Sequence, residues 1–201
     1  MTNVLILESE HRATVAAIRG LAEAGYHVYA ASHTPRAPGR YSRYVDRFCQ
    51  HGPYDTPERL MEDVGQIVER YGIDVLLPSM DKSHAFVIGQ QSRLSQLVAL
   101  PPMPDIISYE LVQDKWRLRE RLSVHGLSVP AAILCQTTSD LKDLNTLSFP
   151  LIAKPTSAGG AQGIIRLEGA GDVGTLKAIL SRDVPYMVEE FVEGQDIDVS
   201  V

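Results

Sequence analysis

The sequence predicts an α/β protein in two parts: a parallel sheet with flanking helices over residues 1–104, then a mixed α+β half over residues 105–201. Three observations lead there. Val4-Leu5-Ile6-Leu7, a run of alanines and leucines at helical spacing, and His27-Val28-Tyr29-Ala30-Ala31 make strand, helix and strand within about 30 residues, a unit whose crossover should be right-handed. Pro101-Pro102-Met103-Pro104 is a stiff connector and the best place for a domain boundary. Beyond it, strands and helices stop alternating as strict βαβ units, which marks an α+β half.

Composition narrows the function classes. Hydrophobic residues are 44% and charged residues 22%, as expected of a soluble globule with real cores. The formal charge of −6 argues against a general nucleic-acid or membrane-surface binder, because counterion-driven binding needs a basic face. Cys49 and Cys135 stand far apart without CxxC or Cys/His ligand spacing, which reads as structural thiols in a reducing compartment and not as a metal site. The chain enters a strand directly, and no apolar run reaches the roughly 18 residues of a membrane span. A cytoplasmic protein is expected.

In the first half, Ser9 can cap the helix after the first strand. Ala13, Ala16, Ala17, Leu21 and Ala24 then recur at helical spacing until Gly25 stops it. The turn between, Leu7-Glu8-Ser9-Glu10-His11-Arg12, lacks GxGxxG, so a dinucleotide pyrophosphate has no close backbone to rest on. A nicotinamide or flavin role is not expected there. Ser9, His11 and Arg12 are candidates for holding a small anion at the helix N-terminus, set against the plainer reading of a solvated first turn. Residues 34–47, rich in Pro, Gly, Tyr and Arg, read as a long exposed loop, with a substrate- or nucleotide-facing role as the alternative. Pro57 opens an amphipathic helix through Leu60, Met61, Val64, Ile67 and Val68, ending near Tyr71-Gly72. Asp74-Val75-Leu76-Leu77 is a buried strand. Ser79-Met80-Asp81-Lys82 follows at its carboxyl end, the edge at which open α/β sheets bind ligands. Asp81 and Lys82 are therefore substrate-site candidates, with Asp81 as a plain N-cap the competing view. A helix to about residue 97 and a short strand at residues 98–100 complete this half.

The second half opens with a helix over residues 106–125 that contains Asp114-Lys115-Trp116-Arg117 and stops at Gly126. An edge strand over residues 127–135 and a short helix over residues 139–147 follow. Phe149-Pro150-Leu151-Ile152-Ala153-Lys154-Pro155 then reads as a buried strand with a lysine near its end. Thr156-Ser157-Ala158-Gly159-Gly160-Ala161-Gln162-Gly163 is a small-residue loop whose backbone can approach a ligand and whose N–H groups can form an anion nest. A lysine at the mouth supplies positive charge for a phosphate; the alternative is a hairpin whose lysine reaches into water. After a strand at residues 164–167 and a helix at residues 173–180, Tyr186-Met187-Val188-Glu189-Glu190-Phe191-Val192 forms a strand. Its backbone can pair with an adenine edge, and Gly194 allows a bend. Asp196, Asp198 and Ser200 then alternate with Ile197, Val199 and Val201, so a carboxylate on the open face can accept from ribose hydroxyls, unless this is an ordinary half-exposed strand.

These pieces, in this order, resemble the ATP-grasp superfamily: Asp-Lys in the helix after a proline connector, the Phe-Pro-Leu-Ile-x-Lys-Pro strand leading into a glycine loop, and a Glu-Glu-Phe-Val-Glu-Gly hinge. The first half resembles the Rossmann-like pre-ATP-grasp domain. Within the superfamily, Ser42-Arg43-Tyr44-Val45 followed by Ile73-Asp74-Val75-Leu76-Leu77-Pro78-Ser79-Met80-Asp81 is similar to carbamoyl-phosphate-synthase-like, predicted ATP-dependent carboligases. The resemblance implies a pre-ATP-grasp domain over residues 1–104. Over residues 105–201 it implies the first lobe and the start of the second lobe of an ATP-grasp domain. It implies that Lys115 and Lys154 hold the ATP phosphates and that Gly159, Gly160 and Gly163 belong to the mobile loop closing over them. Glu189, Glu190 and Val192 fall in the hinge, Glu190 and Val192 offering backbone groups to adenine. Asp196 sits where the family usually has a ribose-binding Glu, and Ala161-Gln162 stand where it often has a serine.

The implied chemistry is phosphorylation of a carboxylate by ATP and attack on the acyl phosphate by an amine, less often a thiol, with lysines and Mg²⁺ neutralising the transferring phosphoryl. In the family the magnesium ligands and a catalytic arginine come from strands well past the hinge. They are expected beyond residue 201, so the chain reads as truncated, inactive alone and ending on an unpaired strand. The implied partners are ATP, a small carboxylate, and either a second copy of the chain or a separately encoded C-terminal half. A reading from a different class remains beside this one: a non-catalytic Rossmann-type module that holds another nucleotide or a small effector.

Overall fold

The computed structural model describes residues 1–159, 161–180, 185–195 and 197. The chain divides into two compact units, Met1–Ile106 and Ile107–Val201.

In the first unit, β1 (Asn3–Ile6), α1 (Arg12–Glu23), β2 (His27–Ser32), β3 (Arg47–Gln50), α2 (Pro57–Tyr71), β4 (Val75–Leu77), α3 (Asp81–Gly89) and α4 (Gln91–Leu94) follow one another. The strands form one parallel sheet in the order β3-β2-β1-β4. Side chains alternate across it, and each face has its own cover. Leu5, Leu7, Ala31, Cys49 and Leu76 pack against Leu60, Met61, Val64, Ile67 and Val68 of α2 and against Phe86, Val87 and Leu94 of α3 and α4. Ile6, Val28, Ala30, Phe48 and Leu77 pack against Ile18, Leu21 and Ala22 of α1. Helices on opposite faces make the sheet doubly wound, and the strand order reverses between β1 and β4.

Three details differ from the sequence expectations. The loop after β2 contains a 3₁₀ turn, Pro38–Tyr41, and gives way to β3, whose Tyr29↔Arg47 to Ser32↔Gln50 register lengthens the sheet by one strand. The expected strand at residues 98–100 is a single parallel bridge, Val75↔Ala99, closed by two hydrogen bonds of 3.0 Å. The helix expected to run to about residue 97 is interrupted after Gly89, where Gln90 takes φ −112°, ψ 14°.

The second unit contains α5 (Ile106–Gln113), α6 (Lys115–Val124), β5 (Ala132–Cys135), β6 (Leu151–Pro155), β7 (Ile165–Leu167), α7 (Val173–Leu180) and β8 (Tyr186–Glu190), with a 3₁₀ helix (Thr138–Thr146) where a short α-helix was expected. Its sheet is antiparallel throughout, in the order β5-β8-β6-β7. One face is closed by Leu176 and Leu180 of α7 and by Leu144 against Leu151, Ala153, Leu167 and Val188. The single helix expected over residues 106–125 is two. Asp114 leaves helical geometry (φ −97°, ψ 109°), and its carboxylate accepts the Arg117 N–H at 2.9 Å, as an N-cap does. Among the described residues no helix is long and apolar enough to cross a membrane.

Candidate functional site

The corner of the second unit at the end of β6 brings two predicted lysines to one loop. Along β6, Leu151, Ala153 and Pro155 are buried, while Ile152 and Lys154 are half-buried on the opposite face. The register Ile152↔Glu189 and Lys154↔Met187 sets Glu189 diagonally beside Lys154 on that face. The two form an ion pair at 2.5 Å, with side chains 23% and 15% exposed. A pair this sheltered is costly to break from one side only, because the remaining charge loses its partner without regaining full hydration.

Lys115 is the first residue of α6, so its N–H has no acceptor within the helix. It donates instead to the Thr156 carbonyl at 2.9 Å. Its ammonium donates to the Ala158 carbonyl, inside the glycine loop. Both ends of Lys115 are thus fixed to the segment that follows Lys154. Thr156, which no motif singles out, is 4% exposed and donates its N–H to the Pro185 carbonyl at 3.0 Å.

The loop's glycines differ in what they do. Gly163 takes φ +72°, and a Cβ there would stand 2.8 Å from Pro155 Cγ and 3.2 Å from the Tyr186 hydroxyl, so conformation and space both demand glycine. Gly159 is exposed and accepts the Gln162 N–H at 3.3 Å. Gly160 lies outside the described residues, as does Asp196. Ala161 also has positive φ, +60°, a conformation favoured by glycine but held here by a side-chain-bearing residue.

In the hinge, Glu190 donates its N–H to Ala131 at 3.0 Å, and its carboxylate accepts the Ser148 N–H at 2.8 Å. That backbone donor is therefore occupied within the sheet. Val192 lies past the end of β8 and is 67% exposed.

At the carboxyl edge of the first unit's sheet, the three remaining candidates are spread apart in role. Glu8 turns the chain at φ +55° and buries Ser9. The Ser9 N–H goes to Ala31 at 3.0 Å and its carbonyl accepts the Gly39 N–H at 2.9 Å. A Cβ on Gly39 would meet Ser9 Cβ at 2.5 Å, so Ser9 is sealed beneath the 3₁₀ turn. The expected Ser9 cap is consequently corrected: the residue at the N-cap of α1 is His11, and no side chain caps it. Arg12 is exposed at the start of α1. Asp81 occupies the first position of α3, one residue past the N-cap it was expected to provide. That helix is capped from elsewhere. Ser83 Oγ accepts from the N–H groups of Ser79 and Met80 at 2.9 and 3.2 Å, and Glu8 accepts the Ser83 N–H at 2.8 Å.

Behind this edge lies a polar cluster that the sequence did not announce. Glu10 accepts from the Ser32 hydroxyl at 2.6 Å, and nearby His33 and His51 each meet the Tyr54 ring edge to face. Burial is the main force pushing the His51 imidazole below its ordinary pKa. Burial, then the charges of Glu8 and Glu10, push the Tyr54 phenol well above its own. Glu8, Glu10 and His11 bring ligand atoms within 4.8 Å of one another. One oxygen of each carboxylate holds an element of the fold, Glu8 through the Ser83 N–H and Glu10 through the Ser32 hydroxyl, and the other faces a histidine, His11 at 3.8 Å and His33 at 3.4 Å.

No family model matches the chain. A D-alanine–D-alanine ligase of Nitrosospira multiformis is 30% identical over 98 residues, 48% of this chain and 32% of that protein. Among solved structures, the L-amino acid ligase of Bacillus licheniformis matches with TM-score 0.71 and 19% identity, covering 96% of this chain and 45% of the other. The N5-carboxyaminoimidazole synthetase of Staphylococcus aureus complexed with ADP matches with TM-score 0.69 and 19% identity, covering 95% of this chain and 48% of the other. The chain thus spans about a third of that ligase relative and less than half of each of those structures. It carries the fold of ATP-grasp enzymes over that share of their length, and in sequence it resembles their ligases.

Proposed function

We propose that the second unit is the phosphate-holding part of an ATP-grasp ligase that activates a carboxylate as an acyl phosphate for attack by an amine. In this proposal the first unit is its pre-ATP-grasp companion. One observation carries the reading: Lys154 and Lys115 stand at one loop, each held by a group that a phosphate oxygen can replace, the Glu189 carboxylate and the Ala158 carbonyl. The triphosphate takes those places. The ammonium groups then offset charge on the transferring phosphoryl, which is where catalysis of this reaction gains most.

A carboxylate oxygen of the substrate forms the new P–O bond while the bond to the β-phosphate oxygen breaks and ADP leaves. The amine nitrogen then bonds to the acyl carbon, loses its proton, and inorganic phosphate departs. Because the Glu190 N–H is spent on Ala131, adenine is read by the Glu190 carbonyl and the backbone of Val192. Asp196 takes the ribose. Mg²⁺, when bound, adds charge neutralisation on the phosphates. The described residues of the second unit present no three-donor grouping for it.

The test is ATP binding by the purified chain. Lys154→Ala should weaken it about tenfold or more, the loss of one charge-assisted contact, while the circular dichroism stays unchanged. Unaltered affinity in a folded Lys154→Ala protein would exclude the phosphate role. In a protein spanning the relatives' full length, ADP release that requires both a carboxylate and an amine supports the ligase. Release indifferent to both points to a module without that chemistry.

A further inference from the structure

The first unit contains a cavity of about 470 Å³ between α1 and the segment that follows the 3₁₀ turn. Its helix wall is a single stripe, with Arg12, Val15 and Arg19 at the three- and four-residue spacings that share one helix face. Its other wall carries Tyr41, Arg43 and Tyr44. Three guanidinium groups therefore border one concave space, and no carboxylate is among its lining residues.

The arginines here are treated differently from those around them. Arg40 donates to the Pro35 carbonyl at 2.9 Å and lies over Phe48, and Arg47 lies over Tyr71; both are absorbed by the fold. Arg93 pairs with Glu58 at 2.7 Å. Among the described residues neither Arg12 nor Arg19 has an acidic partner. Arg43 donates to the Tyr44 hydroxyl at 2.9 Å and lies 4.9 Å from the centre of the Tyr44 ring, so its partner is a neutral ring at the cavity wall and not a carboxylate. The nearby Glu23 accepts from the same hydroxyl at 3.4 Å and does not line the cavity. Tyr41 stands 72% exposed at the rim. In a chain of net charge −6, this is a local reversal of sign around an apolar floor.

We propose that this cavity binds an elongated small molecule with a planar body and oxyanion ends, and that Arg12, Arg19 and Arg43 recognise those ends. Guanidinium forks match phosphate and carboxylate oxygens two at a time, and tyrosine faces accept a planar ring. Arg12 and Arg19 are two helical turns apart, about 10 Å along the axis, which favours charge at both ends of the ligand over a single compact anion. The site lies in the first unit and does not depend on the nucleotide reading of the second.

The experiment is a calorimetric titration of the 201-residue chain at low salt with two probes that carry an oxyanion at each end of a flat body, biphenyl-4,4′-diphosphonate for phosphate and biphenyl-4,4′-dicarboxylate for carboxylate. It is run on the unaltered protein, the Arg12→Ala/Arg19→Ala double variant, Arg43→Ala and Lys154→Ala. Saturable binding of at least one probe is expected. It should weaken about tenfold or more in the double variant, to a lesser degree in Arg43→Ala, and remain unchanged in Lys154→Ala. The arginines are exposed, so the variants should keep the circular dichroism of the parent. Absence of saturable binding by either probe overturns the proposal. So does binding that Lys154→Ala abolishes and the double arginine variant leaves intact, because the anion would then sit in the second unit.

Discussion

The two units use charge at the ends of their strands in opposite ways. In the first, Glu8 and Glu10 are drawn inward and consumed by the fold, Glu8 capping α3 across 75 residues of sequence and Glu10 binding Ser32. In the second, Lys154 and Lys115 stay half-buried, held by a carboxylate and a carbonyl that do not close any element of secondary structure. Contacts that close the backbone and contacts that can be exchanged are thus segregated between the units. A polar group that satisfies a helix end or a turn is structural, because removing it leaves a buried donor bare. A lysine ammonium held by a carboxylate or a loop carbonyl can change partners at little cost to the backbone.

The largest expected effects test what the units share, a core that neither can lose. Leu76→Ala in β4 and Leu151→Ala in β6 remove fully buried side chains, and each should lower the stability of its unit by about 2–5 kcal/mol in urea unfolding. A loss well below 1 kcal/mol at either site would mean that its sheet is not packed as described. Next comes the glycine loop. Gly163→Val places a branched side chain at positive φ against Pro155 and should lose about 1–3 kcal/mol and weaken ATP binding. Gly169→Ala is the control: φ is −166° and nothing lies within 4 Å, so stability should move by less than about 0.5 kcal/mol. If the two variants behave alike, the loop is not held in the geometry described.

A pH series sharpens the contrast from the side of the first unit. The folded pKa of His51 lies below its ordinary value, so below about pH 6.5 the unfolded chain takes up a proton that the native imidazole refuses. Stability contributed by neutral His51 is therefore complete above that pH and declines as pH falls toward the folded pKa. His51→Gln should flatten the slope of the urea midpoint between pH 7 and about pH 5 relative to the parent. An unchanged slope would place the imidazole in water. The smallest effect belongs to a charge pair that serves neither purpose. Arg93 and Glu58 are 48% and 73% exposed, and Glu58→Ala should cost less than about 1 kcal/mol in the same assay.

Much of this architecture was legible because it follows periodicity. Leu60, Met61, Val64, Ile67 and Val68 announce α2, and the run of apolar residues ending at Leu7 announces a strand covered on both faces. What escaped was set by contacts distant in sequence. β3 presents only Phe48 and Cys49 as apolar residues, amid arginines and tyrosines, and it becomes a strand because β2 offers it an edge. The break at Asp114 carries no glycine or proline; it exists because an aspartate can cap the helix that follows, which frees the Lys115 N–H for Thr156. Lys154 was visible as a lysine beside a glycine loop, and Lys115 only through the resemblance that its Asp-Lys pair carries. Their partners, Glu189 and the Ala158 carbonyl, were not, because the register of β6 against β8 cannot be read from either strand alone. Positive φ at Glu8 is likewise invisible in a sequence that offers no glycine there.

Gly39 sets a dimension of the first unit. With its hydrogen held against Ser9 and its N–H bonded to the Ser9 carbonyl, it works as a spacer of minimum thickness between the end of β1 and the turn leading to Tyr41 and Arg43. One added methyl would have to push that turn outward. The breadth of the arginine-lined cleft is in this sense gauged by an atom that is missing, and a Gly39→Ala protein would report on its dimensions without touching any residue that faces the ligand.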